Sequence, residues 1–163
     1  MKLEEMPDTA RVWIFASPHP FDHDDKKHIQ ERMDRFVSGW SSHGAPVAAA
    51  SGMVDDQFIL VAADEAASPS GCSIDKLFKE VTEIEKERRT SLLDSSRVYF
   101  RAADGAVQAV DRTAFRELAL RGDVRPDTIV FDNGVERLGE VRQGAWQKPA
   151  SDSWHGQYLP GQG

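Results

Sequence analysis

Phe58-Ile59-Leu60-Val61-Ala62, followed by Ser70-Gly71-Cys72-Ser73-Ile74-Asp75-Lys76, sets a buried strand before a helix start. The first stretch is a continuous apolar run of strand length. The second lies behind a loop of small residues, Ala66-Ala67-Ser68-Pro69, and opens a helical pattern carrying Ile74, Leu77, Phe78, Val81 and Ile84 on one side. Glu80, Glu83, Glu85, Lys86, Glu87, Arg88 and Arg89 largely fill the other side, as on a solvated helix face. Upstream of the strand, Asp55-Asp56 suits a hairpin turn joining it to a weak, alanine-rich strand within 46–53. Before that, Asp22 is an N-cap with Phe21 as staple, and Ile29, Met33, Phe36, Val37 and Trp40 follow at helical spacing. His43-Gly44 supplies that helix with a basic last turn and a terminal glycine. Val12-Trp13-Ile14-Phe15 is a buried strand ended by Ser17-Pro18-His19-Pro20.

Arg97-Val98-Tyr99-Phe100-Arg101 adds a strand after the second helix. The order strand, helix, strand, strand, helix, strand is the split βαβ pattern of ferredoxin-like domains. The expected fold is therefore α+β, with a ferredoxin-like βαββαβ lobe over residues 8–102. A small ββαβ lobe over 103–150 follows. It is marked by the Asp104-Gly105 turn, a strand over 106–110, a helix capped by Asp111 or Thr113 and stopped by Gly122, and Thr128-Ile129-Val130-Phe131. Residues 151–163 form a tail punctuated by Trp154 and Tyr158.

Length and charge narrow the function classes. A chain of 163 residues holds one domain with a core, or two lobes sharing an interface. Its net charge of -7, with no basic run, argues against nucleic acid as a partner. No apolar run approaches membrane-spanning length, and the N-terminus lacks the apolar segment of a signal peptide. One cysteine allows no internal disulfide and no multi-cysteine zinc site. A cytoplasmic protein without a membrane partner or a cofactor is expected, its oligomeric state left open.

Two resemblances add to this. Ala10-Arg11-Val12-Trp13-Ile14, the 70–76 stretch, Asp127-Thr128-Ile129-Val130-Phe131-Asp132-Asn133 and Ser153-Trp154-His155 fall in one order. Together they resemble a family of small bacterial proteins, common in the Bacteroidetes, often labelled ABC transporter ATPases. A P-loop requires a Gly-rich turn ending in Gly-Lys-Ser/Thr, and Gly71-Cys72-Ser73-Ile74-Asp75-Lys76 has no Gly-Lys step, so ATP hydrolysis is not expected. Locally, Phe115, Leu118, Gly122, Val124, Pro126-Asp127-Thr128 and Trp146 are similar in spacing to GYF-like modules, covering residues 105–146. That likeness implies binding of proline-rich or other short peptides. The Gly-Pro-aromatic opening of such modules stands here as Gly105-Ala106-Val107, which removes an aromatic from the implied groove.

The candidate site residues centre on Cys72. A thiol at a helix N-terminus meets unpaired amides and the positive dipole end, which lowers its pKa, with His43 or His155 as a possible base. The competing reading is a small residue in a tight turn. Ser73 and Lys76 share a helical face, as an acyl-transfer pair requires, while Asp75 suits the helix dipole and Ser73 a cap. His23, Asp24 and His28 stand in a dense His/Asp cluster that lacks an obvious further metal ligand. Asp132-Asn133 are polar candidates that a turn also explains. Trp154 is a candidate anchor for a partner.

The expectation is a cytosolic binding or adaptor protein holding a peptide or a small anion between its lobes, at Gly71, Cys72, Ser73, Asp75, Lys76 and Trp154. The alternative is a cysteine-dependent enzyme or redox sensor.

Overall fold

The computed structural model describes residues 2–64 and 70–161. The expected loop over 66–69 lies outside the described residues. The chain is α+β, with two principal antiparallel sheets.

The first sheet contains β1 (Arg11–Ala16), β4 (Ala49–Val54) and β5 (Phe58–Ala63), in the order β1-β5-β4. β5 is buried along its whole length, as its unbroken apolar run predicts. Asp55 and Asp56 both take positive φ in the β4–β5 turn, a conformation that aspartate tolerates better than most residues. Trp13 and Phe15 point from one face of this sheet into a cluster with α1 (His23–Gly39) and α2 (Gly71–Arg88). Val12, Ile14 and Ala16 alternate to the other face.

The helices carry local signals that place them. Asp22 caps α1 by accepting from the Asp25 amide at 2.7 Å, and the Asp25 carboxylate reaches back to the Asp22 amide. Ser70 caps α2 by accepting from the Ser73 amide. The charged flanks of the two helices meet: Arg32 pairs with Glu80 at 2.8 Å and Glu87 at 2.7 Å, and Arg88 pairs with Asp25 at 2.7 Å.

α1 ends at Gly39, earlier than the His43-Gly44 signal suggests. Trp40 is buried, and its indole N–H donates to the Ser73 carbonyl at 2.9 Å, which draws the chain out of the helix. His43 and Gly44, both at positive φ, instead form the tip of a small hairpin of β2 (Ser41–Ser42) and β3 (Ala45–Pro46).

The fourth strand of the expected ferredoxin-like lobe does not join β1. Residues 98–101 are β6 (Val98–Arg101), which belongs to a second sheet with β7 (Val107–Val110), β8 (Ile129–Phe131) and β9 (Gln147–Pro149), ordered β7-β6-β8-β9. β6 can do this because its two faces suit two cores. Tyr99 enters the layer between the sheets, while Val98 and Phe100 enter the layer beyond the second sheet. The sheet boundary therefore falls before β6, and residues 8–102 do not form a lobe of their own.

Phe58 binds the two sheets together. It is fully buried, with the Phe131 ring stacked at 4.7 Å, Trp146 edge-on at 5.2 Å and Tyr99 at 5.6 Å. The N-terminal segment also enters this layer through Met6. It holds α4 (Leu138–Arg142) by backbone bonds from Leu138 N–H to Ala10 and from Gly139 N–H to Asp8. A Cβ on Gly139 would lie 3.1 Å from the Asp8 carbonyl oxygen, so this approach favours glycine. Beyond the second sheet, Phe115 of α3 (Arg112–Leu120) packs with Val98, Val130, Ala150 and Leu159. Asp111 caps α3. The tail is docked through its described residues, with 3₁₀ turns over Ala150–Asp152 and Trp154–Tyr158, and His155 inaccessible to solvent.

Among the described residues no helix is long and apolar enough to cross a membrane.

Candidate functional site

With β6 in the second sheet, no strand among the described residues pairs along the outer edge of β1, which meets only an isolated bridge between Arg11 and Arg137. In the β1–β5 ladder the register pairs Trp13 with Val61 and Phe15 with Ile59, and the same parity continues into the Ser17 N–H bond to Gln57. Antiparallel strands exchange bonds at every second pair, so Val12, Ile14 and Ala16 turn their backbone groups to the opposite edge. There, Val12 N–H donates to the Glu136 carbonyl at 2.9 Å and the Ala16 carbonyl accepts from the Tyr99 hydroxyl at 3.1 Å. Between those two contacts, Val12 C=O, Ile14 N–H, Ile14 C=O and Ala16 N–H have no backbone partner among the described residues.

A cleft of about 440 Å³ runs along this edge. That volume falls in the range of small-ligand and peptide sites. One wall is Phe78 of α2 with Leu92 and Leu93, and the other is Tyr99, Phe131, Val135 and Trp154. Phe78 (39% exposed) and Trp154 (42% exposed) are two of the three large apolar side chains left open among the described residues. They stand on opposite walls. Phe78 was expected in the core with its helical face. It packs edge-on against Phe15 at 5.5 Å and leaves the rest of its ring open to the cleft.

The charges around the cleft are partly committed. Arg97 lies 3.5 Å from Asp94 and donates to the Ser91 hydroxyl at 3.0 Å. Asp132 accepts from the Gly134 amide and lies 3.5 Å from Lys148. Asn133 accepts from the Trp146 indole N–H at 2.8 Å, which fixes the turn forming the far wall. Burial pushes the Tyr99 hydroxyl pKa up, keeping it protonated as the donor to Ala16.

The residues singled out in the sequence fall in several places. The helix does begin beside the thiol, and Gly71, Cys72, Asp75 and Lys76 are exposed at the first turns of α2. None of them lines the cleft. Ser73 is buried; its hydroxyl donates to the Ser41 carbonyl at 2.9 Å, while Ser70 performs the capping. His43 is exposed on the β2–β3 turn. His155 packs edge-on against Phe115 of α3, whereas α2 packs on the first sheet, so the structure does not bring His155 to Cys72.

The His155 ring is stacked under Trp154 at 3.7 Å, with its Nδ1 2.7 Å from the Ser153 hydroxyl and its Nε2 buried without a partner. Burial depresses its pKa to about 4. A ring so sealed, and so weak a base, does not serve the Ser153 hydroxyl as a nucleophile's partner. His23 and Asp24 are exposed, and His28 turns to Glu87, whose carboxyl it holds below the usual range. No three His, Cys, Asp or Glu side chains converge on a metal position among the described residues.

Trp154, Asp132 and Asn133 are the singled-out residues that do line the cleft. The edge of β1, Phe78 and the Leu92-Leu93 pair were missed as site residues. No local signal points to them: Leu92 is buried and reads as core, and the open edge follows only from the strand pairing of β6.

Compared with known protein families, curated proteins and solved structures, the chain gives no match.

Proposed function

We propose that this is a binding protein whose cleft takes an extended peptide as an added strand on β1. The observation that carries the reading is the open edge at Val12, Ile14 and Ala16, set between two walls that each present an exposed aromatic ring. Backbone groups on such an edge supply affinity to an incoming strand, and alternate side chains on the two walls supply selectivity. The added strand occupies the position that the fourth strand holds in the complete split βαβ arrangement. Each wall presents an apolar stretch, Phe78 with Leu92 and Leu93 on one and Tyr99, Phe131 and Val135 on the other, between polar groups, so the favoured segment carries apolar side chains toward both walls.

The test is a selection of short random peptides against the whole protein, followed by affinity measurement on Ile14→Pro and Phe78→Ser. Proline at 14 removes the N–H aimed at the cleft and leaves the bonds to β5 in place, since edge strands accept proline on their open side. Loss of at least about tenfold in affinity is expected for each variant, with circular dichroism unchanged. Selected peptides that bind both variants as tightly as the parent would contradict the reading.

A further inference from the structure

The open edge has a closed end, and that end carries a cation, Arg11, that makes no ion pair among the described residues. β1 runs from Arg11 to Ala16, and its first residues are already paired with 136–138 through Val12 N–H to Glu136 and Leu138 N–H to Ala10. A peptide lying antiparallel to β1 therefore runs toward Val12 and must stop or turn away there. Its carboxyl end arrives beside Arg11. A parallel peptide would bring its amino end to the same place.

Arg11 decides between the two directions. It lines the cleft and is half-buried, its guanidinium 5.1 Å from the centre of the Trp13 ring. Its Nε is buried with no hydrogen-bond partner, and none of the ion pairs formed among the described residues includes Arg11. A partly desolvated guanidinium in this state gains from an incoming anion and loses from an incoming ammonium. Glu136 also stands at this end, but its side chain is exposed, where water and salt weaken its pull on an ammonium. Asp94 and Asp132 already face Arg97 and Lys148.

Building on the proposed peptide site, we infer that its ligand is the carboxyl terminus of another polypeptide, apolar in its last residues, with the terminal carboxylate held by Arg11.

Two short random libraries test this, one displayed with a free carboxyl terminus and one with that terminus joined to a carrier. Enrichment is expected only from the free-ended library. An enriched sequence made as the free acid should bind at least about tenfold tighter than its amide, the effect of one charge-assisted contact. Arg11→Gln should cost the acid far more than the amide and so close the gap between them. Arg11→Lys, which keeps the charge but not the fork, should fall between the parent and Arg11→Gln. Equal binding of acid and amide, with Ile14→Pro still blocking both, would overturn the carboxylate inference and leave the peptide site standing. Selection of free amino ends, with loss on Glu136→Gln, would overturn it in favour of the opposite direction. No binder from either library would overturn the peptide site itself.

Discussion

Phe58→Ala is expected to remove about 4 kcal/mol of folding stability, in the range for a large aromatic deleted from a packed core. Phe58 belongs to β5 of the first sheet, yet its ring touches Phe131, Trp146 and Tyr99, which all come from the second half of the chain. The resulting cavity would open where two twisted sheets meet, and neither sheet can collapse into it without shifting its own ladder. A fall of about 10 °C in Tm is the corresponding thermal shift for a chain of this size. Phe78→Ala, at a site already 39% exposed, should cost less than about 1 kcal/mol. Urea unfolding of the two variants checks the contrast. A single transition lost together in Phe58→Ala is expected. Two separate transitions, with only one of them moved, would show that the sheets fold independently.

Acid should weaken the fold through His155. Its pKa lies at about 4 in the folded chain and near 6.5 when exposed, so the unfolded state takes up the proton first. The contribution of neutral His155 is thus fully present above pH 6.5. It is lost progressively as pH falls from 6.5 through 4. A shift of this size in a ring closed to solvent amounts to about 3 kcal/mol. Asp132 and Lys148 act on the ring in opposite directions, and burial outweighs both. Denaturant midpoints measured from pH 7 to pH 4 on the parent and on His155→Phe give the difference directly. The parent should lose more than the variant, whose ring fills the space against Phe115 and does not titrate. Parallel curves would show that His155 is not the group responsible.

The elements legible in the sequence were those with a clear period or cap. β1, α1, β5 and α2 follow from the apolar run at Val12, the Asp22 cap, the run at Phe58 and the Ser70 start. The partner of β6 was not legible. Tyr99 on one face and Val98 and Phe100 on the other are apolar or aromatic alike, so the strand suits either sheet. Tertiary packing of Phe58 and Phe131 around Tyr99 settles the choice, and no local signal carries it. α4 and β9 went unseen because five and three residues are too short to display a period. The cleft was harder still. Its walls come from β1, α2, the segment after α2, β6, β8 with the turn after it and the C-terminal 3₁₀ turn, which only the fold brings together. Trp154 and Asp132-Asn133 stood out singly. Cys72 drew attention as the lone cysteine and is exposed at the helix start, away from the cleft.

The central claim is that the outer edge of β1 is open and receives a strand. Residue-resolved amide hydrogen exchange along β1, with and without a selected peptide, tests it most directly. In the free protein the Trp13 and Phe15 amides, bonded to β5, should exchange slowly, while those of Ile14 and Ala16 exchange fast. Adding the peptide should slow Ile14 and Ala16 to the level of their neighbours. Slow exchange at all four positions before any peptide is added, or no change at Ile14 when it binds, would contradict the account.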